Sequence, residues 1–361
     1  MCAVNDGSLA EAVAAIRLSI PLSLLDRPGE LRLLEVARRL PPVLARRPVG
    51  LELRLAGPAR ADLFVGVRPR APDGRAVLAW ARRANAPLLV SALEEWRSGI
   101  GWLAWNAEYL LLEFDAATDP HAPPCVYLAP KRAANDVPVE VSDNAFHTDP
   151  EGLVRALARL SGTPPDTTAA AELDRMLAAL PLFAEIFAAG AMLSRASVGS
   201  PRIAVRRLRP EGIGTLLTAL DRRRTAEVLV PLAQELGDLG ARFILDLDIG
   251  PAGTGCVGLE VHAGRYWTEG SADGWAPVLD VLAQRGLAER GRASAAATLP
   301  MPRRPRRPAV GISHVKVAAD AARRLPAKLY LGVDGAHEAL AAHAGADRPH
   351  GAVGAQAEGA R

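Results

Sequence analysis

Lysine is almost missing from this chain. Of 43 basic residues only Lys131, Lys316 and Lys328 are lysines, the rest being arginine, so each lysine is worth locating. Cysteine is scarce too. Cys2, Cys125 and Cys256 exclude a disulfide framework, and no pair has the short Cys or Cys/His spacing of a zinc site, so no metal-ligand set is expected and Cys125, Cys256 and His262 read as ordinary wall residues. Aromatic residues make up 4%. No apolar run approaches the ~20 residues that span a bilayer, and the opening "MCAVNDGSLAEAV" has neither the charged start nor the apolar core of a signal peptide, so a cytoplasmic, reduced protein with no membrane partner is expected. Neither sign of charge dominates: 43 basic residues meet 40 acidic ones, for a net charge of +3. That balance argues against nucleic acid as a partner.

What is present is a long chain rich in buried-type residues. With 361 residues and 49% hydrophobic composition it can bury a large core, in one domain or two. Five times, two helical patterns are followed by two alternating strands. Ser8 is placed to cap a helix from about Leu9, "GELRLLEVARRL" follows, and "GLELRL" and "ADLFVGVR" alternate as strands. The strands of the next units are "YLLLEFD" and "CVYLA", an ill-defined one near "GAMLSRA" and "RIAVRRL", "FILDLDI" and "CVGLEV", and finally "GISHVKV" and "AKLYLGV". Five such hairpins separated by helix pairs predict an α+β fold: a ten-stranded antiparallel β-barrel of five ααββ units with the helices outside, since closure removes exposed edges. An open α+β sheet or two half-size domains are the alternatives. The barrel domain is expected over residues 1–343, with 293–310 a Pro/Arg-rich connection and 344–361 a disordered tail.

If helices cover the outside, each strand's aliphatic set points outward and the pleat turns the other set inward. Leu51/Leu53/Leu55, Leu63/Val65/Val67, Leu110/Leu112/Phe114, Phe243/Leu245/Leu247, Val257/Leu259/Val261 and Leu329/Leu331/Val333 form the outward sets. Inward then fall Glu52, Arg54, Phe64, Arg68, Tyr109, Glu113, Asp115, Cys125, Tyr127, Arg202, Arg206, Asp246, Asp248, Cys256, Glu260, His262, His314, Lys316, Lys328 and Tyr330. Such a wall is either a hydrated chamber or a network of neutralising ion pairs, because lone charges cannot be buried without large cost.

The five-fold ααββ pattern with a polar lumen resembles the aromatic prenyltransferases of the ABBA, or PT-barrel, type, over about residues 9 to 343. Lys328 and Tyr330 in "AKLYLGV" look like that family's K-x-Y strand. The resemblance implies that Lys316, Lys328, Arg202 and Arg206 bind an allylic diphosphate, that Tyr127 and Tyr330 shield the allylic cation, and that Glu113 orients or deprotonates an aromatic or peptide acceptor, as in natural-product biosynthesis. Cys125 stands where fungal indole-type members place a lysine, and Glu260 where a basic or tyrosyl residue is usual. Asp246 and Asp248 repel a diphosphate unless Mg²⁺ lies between, the only cofactor the resemblance admits. The chain also resembles uncharacterised bacterial proteins of ribosomal-peptide tailoring. That implies a rival enzyme, a cyclase forming lanthionine-type thioethers in a precursor peptide, with His262, His314 or Tyr330 moving protons and the acidic wall gripping the peptide. A non-catalytic ligand-binding barrel is the third reading.

Other motifs carry little chemistry. In "HEALAAH" the histidines are six residues apart, about 600° of helical rotation, so they cannot share a metal. "GPAGTGC" lies between strands and reads as a hairpin turn, not a phosphate loop. "PRRPRRP" reads as a solvated linker, and Trp96, Trp102 and Trp105 as helix packing.

Overall fold

The structure is a computed structural model that describes residues 8–46, 49–116, 121–131, 145–163, 167–193, 201–250, 255–263, 272–299, 310–319 and 324–333. The first unit comprises α1 (Leu9–Arg17), α2 (Arg27–Arg39), β1 (Val49–Arg54) and β2 (Ala61–Val67). It starts as the sequence predicts: the Ser8 hydroxyl accepts from the Glu11 amide at 3.2 Å and the Glu11 carboxylate accepts from the Ser8 amide at 2.7 Å, a capping box. The second unit holds α3 (Pro72–Arg83), α4 (Pro87–Ser98), α5 (Trp102–Asn106), β3 (Ala107–Phe114) and β4 (Cys125–Pro130). The third has α6 (Ala145–Thr148), α7 (Pro150–Ser161), α8 (Thr167–Ala179), β5 (Glu185–Ala191) and β6 (Pro201–Leu208). The fourth has α9 (Pro210–Ala219), α10 (Arg223–Asp238), β7 (Ala241–Asp248) and β8 (Val257–Ala263), and the fifth α11 (Ala272–Gln284), α12 (Arg290–Ala297), β9 (Val310–Ala319) and β10 (Arg324–Val333).

Every strand pairs antiparallel with its neighbours in sequence, and β1 closes the ring on β10. No strand edge is left open, as closure requires. The outward aliphatic sets are where period-two alternation put them: Leu51, Leu53, Leu63, Leu110, Leu112, Leu245, Val257, Leu259 and Leu329 are wholly buried under the helices, with α2, α7, α10 and α11 lying against β2, β5, β7 and β8. Each such side chain contributes roughly 1.5–3 kcal/mol of transfer energy, so the helical coat holds the barrel from outside and leaves its interior to polar residues.

Two elements lie elsewhere than expected. β5 covers Glu185–Ala191 and not the stretch around "GAMLSRA", because its run of Ala188, Ala189, Gly190 and Ala191 shows little alternation. The last helix pair ends in α12, "RGRASAAA", which begins later than the expected "GLAERGR" and occupies the start of the 293–310 connection. Its apolar positions are all alanine, so no face stands out. The rest of that connection, "PRRPRRP", "HEALAAH" and the 344–361 tail lie outside the described residues.

Candidate active site

Strand register brings most of the expected inner residues into one cluster. Across β1 and β10 Glu52 faces Tyr330 and Arg54 faces Lys328; across β10 and β9 Tyr330 faces His314 and Lys328 faces Lys316; across β9 and β8 Lys316 faces Glu260. On the other side of the ring Arg202 faces Asp248 and Gly190, and Gly190 faces Tyr127. These contacts join Glu52, Tyr330, His314, His262, Glu260, Lys316 and Asp246 in one chain of rings and charges. Tyr330 stacks on His314 with centroids 4.1 Å apart and on the other side meets Phe64 at 5.3 Å. Its hydroxyl donates to Glu52.

Lys316, Lys328, Arg202, Arg54 and Arg206 of this wall are already engaged by carboxylates. Lys316 pairs closely with Asp246, Lys328 with Glu52 at 2.7 Å, Arg202 with Asp248 at 2.7 Å, and Arg54 with Glu52 at 3.1 Å and Asp62 at 3.2 Å. Arg206 pairs with Glu185 and lies over the Phe187 ring. Four residues of extended strand separate its backbone from that of Arg202, about 14 Å, and the two arginines pair with different carboxylates. Glu113 accepts the Tyr127 hydroxyl at 3.0 Å, and both face the lumen beside Cys125, the register partner of Glu113.

Acids outnumber bases. Among the described residues the wall carries the carboxyls of Glu52, Asp62, Glu113, Asp115, Glu185, Asp246, Asp248 and Glu260 against the cations of Arg54, Arg202, Arg206, Lys316 and Lys328. Of the two readings its composition allowed, the inner wall shows the network of ion pairs, with a surplus of negative charge. Burial drives the titration of these groups and their neighbours decide its direction. Burial opposes ionisation of Glu52, but Lys328 and Arg54 prevail and hold it well below the usual carboxylate range. Asp62, buried and close to Glu52, is pushed up to about 9 and carries a proton at neutral pH. Burial also lifts Asp246, to about 6 against the pull of Lys316. Asp248 goes the other way, its burial outweighed by Arg202. Burial and the neighbouring His262 and Lys316 keep His314 neutral. Burial and then Glu52 raise the Tyr330 phenol well above its ordinary value.

Two glycines make room for these side chains. A Cβ on Gly190 would sit 2.6 Å from the Tyr127 ring, and one on Gly258 would sit 2.5 Å from the Lys316 chain. Neither role was visible before the strands were paired. Asp62 and Glu185 were missed too. Asp62 shares the parity of Phe64 and could have been read from it, whereas Glu185 went with the misplaced β5. Of the other inward assignments, Arg68 lies past the end of β2 and is exposed. Cys256 and His262, six residues apart along extended chain or about 20 Å, form no zinc site with Cys125. Trp96 is buried in helix packing and Trp102 donates to Asp149 at 2.8 Å, but Trp105 is 67% exposed. An apolar pocket of about 350 Å³ lies outside the barrel, lined by Val36, Leu40, Trp80, Leu89, Phe114 and Pro124 among others.

No protein-family model matches the sequence, and no curated protein does. Solved structures do match in shape. 5-Dimethylallyltryptophan synthase from Streptomyces coelicolor superposes with a TM-score of 0.54 at 14% identity, over 92% of this chain and 99% of that one. PriB, solved as a binary complex with product diphosphate, gives 0.53 at 16% identity over 92% and 98%. AnaPT from Neosartorya fischeri gives 0.51 at 10% identity over 91% and 92%. The likeness spans nearly the whole length of each partner, and the architecture is that of the ABBA, or PT, barrel. Among the described residues no helix is long and apolar enough to cross a membrane.

Proposed function

We propose that this barrel is a transferase of natural-product biosynthesis that moves a prenyl group from an allylic diphosphate to an aromatic or peptide acceptor in its lumen. The observation that carries the reading is the Tyr127–Glu113 pair at 3.0 Å, on a wall that also bears Arg202, Lys316 and Lys328. The fold adds support, since one protein of this shape is solved with diphosphate and another is named for dimethylallyltryptophan synthesis.

In this reading the donor's carbon–oxygen bond breaks, and diphosphate leaves with both bonding electrons toward Arg202, Lys316 and Lys328. The ring face of Tyr127 meets the allylic cation, whereas the Tyr330 ring is already packed against His314 and Phe64. The acceptor supplies the electron pair of the new bond, and Glu113 takes the proton it sheds. Asp246 and Asp248, oxygen donors of the kind Mg²⁺ selects, are the residues that would hold that ion, which would supply positive charge to balance the leaving diphosphate. Isothermal titration with an unreactive allylic diphosphate analogue, with and without Mg²⁺, tests the proposal. One equivalent should bind, and Lys328→Met should weaken it. No heat in either buffer, on folded protein, removes the reading.

The surplus of carboxylates favours a second reading, the thioether-forming peptide cyclase. A wall with more acids than bases attracts a basic peptide segment more readily than a bare diphosphate. His262, His314 and Tyr330 would then move the protons. Binding of a lysine- or arginine-rich precursor peptide in place of the analogue would select this reading.

A further inference from the structure

Three ligand-type side chains converge at the seam between β8 and β9. Glu260 and His262 are two residues apart on β8 and so share a face. His314 comes from β9, where the register that sets Glu260 opposite Lys316 and Val261 opposite Val315 brings it level with His262 at the next pair. The two imidazoles stack with centroids 5.0 Å apart and planes 29° from parallel, so their outer nitrogens address the same carboxylate. His262 Nε2 is 3.5 Å from one Glu260 oxygen and His314 Nε2 is 3.7 Å from the other. One ligand atom from each residue lies within 4.8 Å of the other two.

These separations are too long for good hydrogen bonds. Both Nε2 atoms are buried and have no hydrogen-bond partner among the described residues. Unsatisfied buried ring nitrogens are uncommon and point to a ligand that would satisfy them. The far side of His314 is already fixed: its Nδ1 lies 3.0 Å from the Ser313 hydroxyl, and Tyr330 stacks on its ring. The tautomer that donates Nδ1–H to the serine leaves the Nε2 lone pair toward Glu260, the arrangement by which an outer partner orients a metal-bound histidine. The nearest cation, Lys316, is 3.8 Å from Glu260 but is held more closely by Asp246, so its charge is balanced before any ion arrives. The His262 side chain keeps 30% exposure, which leaves a way in.

We infer that Glu260, His262 and His314 form a binding site for one divalent transition-metal ion of the zinc class, with its remaining positions open to the lumen. Two imidazoles and a carboxylate suit Zn²⁺, Co²⁺ or Fe²⁺, whereas Mg²⁺ and Ca²⁺ prefer sites made of oxygen alone. The open positions would take water, or an oxygen or thiolate of whatever ligand the barrel holds. The site adjoins Asp246, which shares Lys316 with Glu260, but it does not depend on the donor being a diphosphate.

Equilibrium dialysis of the chelator-stripped full-length protein against Zn²⁺, with bound metal counted by mass spectrometry, tests the inference. Co²⁺ is the spectroscopic probe. Wild type should retain one equivalent, rise in Tm on loading, and show visible Co²⁺ ligand-field bands. His262→Gln and His314→Gln should each lose more affinity than the roughly 10- to 100-fold that outer partners contribute, along with the bands and the Tm rise. Circular dichroism of the stripped proteins verifies folding. Should His314→Gln fail to fold, His262→Gln at its more open position carries the test. Failure of wild type to retain Zn²⁺ overturns the inference, as does an equivalent that persists in folded His262→Gln. Neither result bears on the diphosphate titration, so the two proposals fail separately.

Discussion

Replacing Asp62 by asparagine should stabilise the protein, by an amount that grows with pH. Asp62 is 1% exposed and faces Glu52 across β1 and β2. Both carboxyls draw on one guanidinium, Arg54, at 3.2 and 3.1 Å. Glu52 also has Lys328 and the Tyr330 hydroxyl, so it keeps its charge. Burial and the charge on Glu52 leave Asp62 protonated, pushed up from 3.8 to about 9. Between those two values the folded chain holds a proton that the unfolded chain releases. Folding stability therefore falls as pH rises through this window, by about 1.4 kcal/mol per pH unit. The penalty is absent below about pH 4 and complete above about pH 9; at pH 7, some three units into the window, it reaches an upper limit of about 4 kcal/mol. Asparagine has the shape of the protonated acid, keeps an acceptor for Arg54, and has no proton to lose. Urea unfolding of wild type and Asp62→Asn should show a gain of about 1.5 kcal/mol at pH 5, widening toward about 4 kcal/mol at pH 7. A difference that does not change with pH, or a variant less stable at pH 7, would refute the charge assignment.

Gly190→Ala puts a methyl 2.6 Å from the Tyr127 ring. It should cost about 1–3 kcal/mol of overpacking, read by chemical denaturation, and should lower turnover by displacing the tyrosine from Glu113. Glu113→Gln should leave stability within about 1 kcal/mol while cutting the rate by roughly 10²–10⁴-fold, measured as product formed per enzyme; an unchanged rate would remove Glu113 as the base. Lys316→Met leaves Asp246 and Glu260 without their shared cation and should cost about 3–5 kcal/mol. Adding Asp246→Asn should recover part of that loss, and additive losses would show that the pair does not act together. Outside the lumen, Arg222 is 3% exposed and joins Glu172 at 2.8 Å to the Asp248 carbonyl at 2.5 Å, while Glu172 accepts from the Gly250 amide at 2.6 Å. Arg222→Met should therefore cost about 3–5 kcal/mol, visible as a lowered Tm.

The barrel was legible in the sequence because its outer face is monotonous. Leu51/Leu53, Leu112/Phe114 and Leu245/Leu247 alternate with Glu52, Glu113 and Asp246 at a period no helix shares, and ten such strands have few ways to hide their edges. Where the apolar residues are small the signal fails, as it does at Ala188–Ala191 in β5 and across the alanines of α12. The membership of the inner wall followed from the same parity, down to Glu113, Lys316 and Tyr330. Its electrostatics did not. That Lys316 faces Glu260, that Gly190 lies under Tyr127, and that His262 and His314 share one carboxylate all depend on which residues meet across neighbouring strands. That register is set by β-bulges such as the one between Tyr330 and Leu331, which leave no local mark in the chain.

The most direct measurement is a crystal structure of the full-length protein soaked with an unreactive allylic diphosphate and Mg²⁺. The account predicts diphosphate density inside the ring, in contact with Arg202 and Lys316 and with its alkyl tail against Tyr127. A lumen still closed by its own ion pairs, with the analogue absent or lodged in the outer pocket beside Trp80 and Phe114, would contradict it.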